Sequence, residues 1–233
     1  MMRIYEIPGF PNPTRIRIAL AEKGLTKTVS FITVDVPAGK YRNAIFLAKH
    51  PYATTPVLVL EDGTCIGECT AITEYLDHLD GTPTLTGRTG RERTLVHMMQ
   101  RRVEAGLLDA LAIYFDHAVL DLGSKIETYQ TPKWNRHGRA RALASMRYLD
   151  DVLGDHTYLA GDHFSMADIT AFAALAFADF VKIERPASLL HLATWRARVA
   201  ARPSIAAALI WFPLVAARVR RISGRSTSAI TRS

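Results

Sequence analysis

The stretch over residues 54–76, TTPVLVLEDGTCIGECTAITEYL, constrains this chain more than any other. Residues 56–60 form an apolar run, Asp62-Gly63 is a two-residue hairpin signal, and residues 65–67 read as a short return strand. A helix begins directly after it, because Ile72, Leu76 and Leu79 recur at helical spacing and predict one buried stripe. The first peptide N–H groups of that helix, near Cys69 and Thr70, have no partner within it and offer an anion site. Thr55 before Pro56 favours an extended conformation, and an X-Pro bond leading into a strand tolerates a cis peptide. A cis Pro56 would turn the Val57 backbone outward, ready to pair with an extended peptide ligand.

From the N-terminus, residues 3–7 read as a strand and residues 8–11 as the loop leaving it. Asn12 is expected as the N-cap of a first helix, with Pro13 at its first position, Gly24 as its stop, and Ile16, Ala19 and Leu20 as its apolar face. A strand over 28–34 and a short helix over 42–49, ended by Pro51, complete the order βαβαββα. Residues 81–90, GTPTLTGRTG, are a linker dividing a mixed α/β half from an all-helical half, so the fold class is α/β plus all-α. Helices are expected from 91 to about 120, about 132–153, 165–180, 189–200 and 204–217. The corresponding units are residues 1–80, residues 91–217 and a basic, disordered tail over 218–233.

Composition narrows the classes. With 48% hydrophobic and 22% charged residues the chain suits a globular protein. The start, MMRIYE, lacks the apolar core of a signal peptide, and the most apolar helix, over 167–181, carries Asp168 and Asp179. No membrane span is expected, and the cytoplasm is the expected compartment. Two cysteines, Cys65 and Cys69, are too few for a disulfide framework, and no zinc spacing occurs, so no metal is expected. The net charge is +7, but five of those charges are Arg218, Arg220, Arg221, Arg225 and Arg232 of the tail, with no acid among them. The body is nearly balanced, and nucleic acid is not an expected partner.

Thr55-Pro56-Val57 followed by Glu68-Cys69-x-Ala71-Ile72-x-x-Tyr75-Leu76 resembles the glutathione S-transferase family. There a (Val or Thr)-Pro-x-Leu strand start and a Glu-Ser-x-Ala-Ile-x-x-Tyr-Leu helix start hold glutathione; Cys69 stands where the family has serine. Tyr158-Leu-Ala-Gly161-Asp-His-Phe-Ser165-Met-Ala-Asp168-Ile resembles the family's helix-opening signature, with Ser165 as N-cap and Asp168 as its reciprocal partner. That capping pair explains the spacing better than a hydrolytic use of Ser165, Asp168 and His163. Trp195-x-x-Arg198-x-x-x-Arg202-Pro203-Ser204 resembles the family's late tryptophan helix. The resemblance implies a thioredoxin-like domain followed by a helical-bundle domain, a homodimer, and glutathione as co-substrate with a small electrophile.

It also implies roles. The cysteinyl backbone would lie against Val57, the γ-glutamyl carboxylate at the N–H groups of Cys69 and Thr70, and the amine at Glu68, beside Thr55 and Pro56. Thr54 and His50 would reach towards the glycyl end, and Lys40 would steer its carboxylate. Cys69 could alternatively be a reactive thiol, since a helix N-terminus lowers thiol pKa. The electrophile pocket would draw on Phe10, Tyr114, Phe115, His117 and Trp134; Arg101, Arg102 and Glu104 read as a solvated face, or as the edge that sends an acid to a neighbour's glutathione.

Catalysis needs a donor aimed at the glutathione sulfur, because a free thiol near ~8.5 is mostly protonated at neutral pH. The family's serine position falls here on Phe10, its tyrosine position on Glu6 and its cysteine position on Pro11, while strand alternation turns Tyr5 away from Glu6. None of the usual donors is present. Relatives with Pro-Asn at this loop point to Asn12, whose side-chain oxygen could cap the helix while its NH2 faces the sulfur, with Thr14 second. Conjugation through an activated thiolate is the leading function. A glutathione-dependent disulfide reductase and a non-catalytic glutathione or apolar-ligand binder are the alternatives.

Overall fold

The computed structural model of the chain describes residues 1–34, 44–118, 123, 127 and 129–209. The first half runs β1 (Met2–Glu6), α1 (Pro11–Glu22), β2 (Val29–Thr33), α2 (Ala44–Leu47), β3 (Val57–Val59), β4 (Cys65–Ile66) and α3 (Cys69–His78). The sheet order is β2-β1-β3-β4, with β1 parallel to β2 and antiparallel to β3, and β3 antiparallel to β4. This is the expected order of a thioredoxin-like half. Alternation along β1 sends Ile4 into the core shared with α1 and α3, and Tyr5 to the opposite face, edge-on to Phe46 of α2. Glu6 returns to the α1 side, is buried and accepts from Arg17 Nε at 3.0 Å. Burial raises its carboxyl even though Arg17 opposes the shift.

Three local expectations are corrected. The N-cap of α1 is Phe10, not Asn12; Pro11 is the first helical residue and Pro13 the third. Of the two N–H groups that a capping side chain serves, on the second and third helical residues, Pro13 lacks one, and Phe10 has no polar atom to accept the other, so α1 starts without a side-chain cap. The β3–β4 hairpin has three residues in its loop rather than two: Leu60 N–H bonds to Thr64 O at 2.9 Å, and Gly63 takes φ 90° after a Gly63 N–H to Leu60 O turn. Leu79 is 43% exposed and lies beyond the end of α3, so of the three expected positions only Ile72 and Leu76 are buried, in the same core as Cys69. Gly24 does end α1, at φ 66°, with Leu25 N–H reaching back to Leu20 O.

The second half runs α4 (Gly90–Val103), a π-helical turn (Glu104–Leu108), α5 (Asp109–Ala118), α6 (Pro132–Asp155), α7 (Met166–Phe180), α8 (Leu190–Ala200) and α9 (Pro203–Leu209). The single helix expected from residue 91 is thus broken by the π turn, and Pro203 opens α9 rather than merely separating it from α8. Helix α7 is buried almost throughout, and its alanines 171, 173, 174 and 178 let neighbours approach closely. The capping box forms: Asp168 accepts from Ser165 N–H at 3.0 Å, and Ser165 caps the first turn. Asp168 also accepts from Leu159 N–H at 3.0 Å and from the indole Nε1–H of the fully buried Trp195 at 2.9 Å. Its role is to join α7, α8 and the approach to α7, and burial raises its carboxyl against those bonds.

Helix α1 joins the halves by its two faces. Ile16 and Leu20 pack on the sheet side, whereas Ile18 and Ala19 belong to the same core as α7. Residues 210–233, including the basic tail, lie outside the described residues, as does Lys40.

Candidate glutathione and sulfur site

The site is built where the first turns of α1 and α3 meet. Cys69 Sγ–H points at Asn12 O, 3.4 Å away. The Thr55–Pro56 bond is cis. Val57 pairs with Tyr5 of β1, while β4 pairs only with Leu58 and Val59, so the Val57 end of β3 lies beyond the reach of β4. Glu68, the residue before α3, adopts φ 62° and ψ 123°, a backbone region that non-glycine residues rarely enter, and caps nothing with its side chain. The leading N–H groups of α3 thus receive no bond from the Glu68 side chain, and the exposed Glu68 carboxylate stands beside them.

His50 braces this corner. It is buried, its Nε2 lies 2.9 Å from Thr54 Oγ1, and its ring sits against Gly67, where an added Cβ would come within 2.8 Å of Nε2. His50 and Thr54 thus pair with each other beneath the loop that leads to Pro56.

Two candidate side chains have other partners within the fold. Cys69 is buried, and desolvation pushes its thiol up to about 11 despite the nearby Arg15 cation, which disfavours the thiolate a reactive cysteine needs. The Thr14 hydroxyl is buried and spends its one proton on Phe10 O at 2.8 Å, leaving nothing to donate to a sulfur.

Asn12 sits on the second residue of α1 with its side chain part-exposed, and its Oδ1 accepts from Arg15 Nη1 at 3.0 Å instead of capping a backbone N–H. A guanidinium can only donate, so the amide oxygen must be the edge that faces Arg15, and the NH2 edge faces away. Arg15 is itself buried and donates through Nη2 to Glu104 Oε1 at 2.6 Å. That carboxylate oxygen also accepts from Thr70 Oγ1 at 3.2 Å and Gln100 Nε2 at 3.1 Å. Glu104 begins the π turn after α4 and faces its own chain's Arg15, which corrects its reading as part of a solvated face. Sequence reasoning missed Arg15, Thr70, Gln100 and Glu104 as a unit; the signal was a buried-face arginine three residues after Asn12, one helical turn away.

The aromatic candidates separate. Phe10 is half-buried and packs edge-on to Phe115 at 6.2 Å and against Phe177 at 6.5 Å between ring centres. Phe115 is itself core, and Tyr114 packs against that core. Trp134 stands apart, 51% exposed, stacked on His117 and edge-on to His137. Among the described residues no group of three or more His, Cys, Asp or Glu side chains is placed to hold a metal ion, and no helix is long and apolar enough to cross a membrane.

Residues 11–79 match the family model of the glutathione S-transferase N-terminal domain, and residues 132–209 that of the C-terminal domain. Glutathione S-transferase 2 of Saccharomyces cerevisiae is 49% identical over 204 residues, covering 88% of each protein. The chain belongs to the glutathione S-transferase family. The crystal structure of Gtt2 from the same yeast superposes with a TM-score of 0.86 at 48% identity, covering 89% of this chain and all of the yeast chain. That of a glutathione S-transferase domain-containing protein from Marinobacter aquaeolei gives 0.84 at 53% identity, covering 87% and 99%. The transferase URE2P6 of Phanerochaete chrysosporium, solved with oxidised glutathione, shares the fold at 19% identity with a TM-score of 0.79, covering 95% and 97%.

Proposed function

We propose that this family member binds glutathione along Val57 and the α3 N-terminus and activates its sulfur through Asn12 for transfer to a small electrophile. The γ-glutamyl carboxylate suits the open N–H groups of Cys69 and Thr70, and the amine suits the exposed Glu68 carboxylate. The observation that carries the sulfur assignment is the Asn12 amide, whose oxygen is taken by Arg15, leaving two N–H donors to serve a thiolate. Phe10, where a serine would donate in other classes, offers an apolar surface to the electrophile instead.

The test is a titration of thiolate ultraviolet absorbance for glutathione bound to the purified protein, with Asn12→Ala in parallel. Bound glutathione ionising well below the free thiol, with Asn12→Ala raising that pKa and lowering turnover at least about tenfold, is the expected result. Unchanged ionisation and turnover in Asn12→Ala would overturn the assignment. Turnover of a model aryl halide against a small disulfide separates conjugation from disulfide reduction, which uses the same thiolate. Retention on immobilised glutathione with neither activity would make the protein a binder. The reading includes a cytoplasmic homodimer, checked by sedimentation and by localisation of the tagged chain.

A further inference from the structure

We infer that Arg15 is the positioning residue of the sulfur site, a buried fork that fixes which edge of the Asn12 amide meets the glutathione sulfur and ties that edge to the helical half of the molecule. The inference deepens the Asn12 reading and rests on it.

An asparagine amide presents an acceptor and a donor edge of nearly equal shape, and rotation by half a turn exchanges them. Only the donor edge stabilises a thiolate; the oxygen edge would repel it. Arg15 decides between them, because Nη1 donates to Asn12 Oδ1 at 3.0 Å while Nη2 donates to Glu104 Oε1 at 2.6 Å. Glu104 cannot follow Arg15 freely, since Thr70 of α3 and Gln100 of α4 donate to the same oxygen. The network therefore spans α1, α3 and the π turn after α4, and its side chains are buried or half-buried. A planar fork with two partners at fixed angles holds an orientation that a single point charge does not.

The charges facing this corner are Arg15, Glu104 and Glu68, all of which act on the neighbouring Cys69 thiol. Arg15 is neutralised by Glu104 at short range, so its main action on the sulfur runs through Asn12 rather than through its own charge.

The experiment is a double-mutant cycle read by the thiolate absorbance of bound glutathione, using the full chain as wild type, Asn12→Ala, Arg15→Lys and the double variant. Lysine keeps the positive charge opposite Glu104 but lacks the fork. Arg15→Lys is expected to raise the bound thiol pKa by about one unit, about tenfold less thiolate below that pKa, and to add nothing in the Asn12→Ala background. A purely structural role would move melting temperature and glutathione affinity without moving that pKa, and would overturn the inference. A shift by Arg15→Lys that persists in the Asn12→Ala background would also overturn it, since Arg15 would then act on the sulfur directly. If Asn12→Ala raises the pKa and Arg15→Lys does not, the Asn12 reading stands and this one falls. If Asn12→Ala has no effect, both fall. Should Arg15→Lys not fold, the neutral pair Arg15→Gln with Glu104→Gln enters the same cycle under the same criteria.

Discussion

The Cys69 thiol occupies the first position of α3, where the helix field alone favours a thiolate, yet its surroundings are dry and its nearest polar partner is a carbonyl oxygen, Asn12 O. Desolvation exceeds the help of Arg15, and the thiol is held at about 11. Below that pH it stays protonated in the folded protein. Cys65, on the short edge strand β4, is exposed. Iodoacetamide applied to the native protein near pH 8 is therefore expected to label Cys65 at least about tenfold faster than Cys69, with the two becoming equivalent only after denaturation. Mass spectrometry of the labelled peptides reads the ratio, and comparable native rates would contradict the burial argument.

Helices α5 and α6 pack backbone to backbone at Gly138. A Cβ there would come within 2.7 Å of Ala110 O and 2.8 Å of Tyr114 N, both main-chain atoms that no rotamer change can move aside. In an exposed helix, glycine to alanine stabilises by about 1 kcal/mol. Here the sign reverses: Gly138→Ala is expected to destabilise by about 1–3 kcal/mol, because one helix must shift away from the other. Urea unfolding with an unchanged m-value checks it, and a stabilised variant would show that the helices yield without cost. The π turn at Glu104–Leu108 belongs to the same packing: Gly106 brings α6 so close that its added Cβ would lie 2.7 Å from Ser145 Oγ. Glu104, at the start of that turn, meets Arg15.

At the scale of the molecule, the passage between the halves is tied to Asp77. Its buried carboxylate accepts from Thr84 N–H at 3.0 Å, Leu85 N–H at 2.9 Å, and Thr86 N–H and hydroxyl at 2.8 Å, with Lys23 Nζ 3.2 Å away. Leu85 then inserts into the helical core. Burial alone would raise the Asp77 carboxyl, but the Thr84 and Thr86 bonds and Lys23 outweigh it and hold it below the ordinary value of 3.8. A folded-state value below the unfolded one gives stability that is full above 3.8 and is lost as the pH falls through the folded value. Asp77→Asn is expected to lose about 2 kcal/mol at pH 7, a gap that closes in acid as the wild-type carboxyl protonates. Melting curves of both proteins across the acid range test this; a gap constant with pH would remove the carboxylate from the account. Glu22 supplies a second tie, accepting from Arg202 Nε at 2.8 Å and Nη2 at 2.7 Å and from the Ser204 hydroxyl, which fastens the end of α1 to α9.

The elements around residues 54–76, the cap at Ser165 and the stop at Gly24 were legible in the sequence because strand, turn and helix-cap chemistry is local: each depends on residues within a few positions of one another. The same locality located the start of α3 and the cis Thr55–Pro56 approach to Val57. What only the tertiary structure decided are the contacts made across long separations. α1 begins at Pro11 with Phe10 as its N-cap, and the Asn12 side chain turns to Arg15 instead of to the backbone. Cys69 lies sealed under the first turn of α1, and Asn12 is oriented by an arginine that answers to Glu104, 89 residues further on. No local pattern encodes that pairing, since whether a charge is solvated or buried against a partner depends on how the two halves close over it.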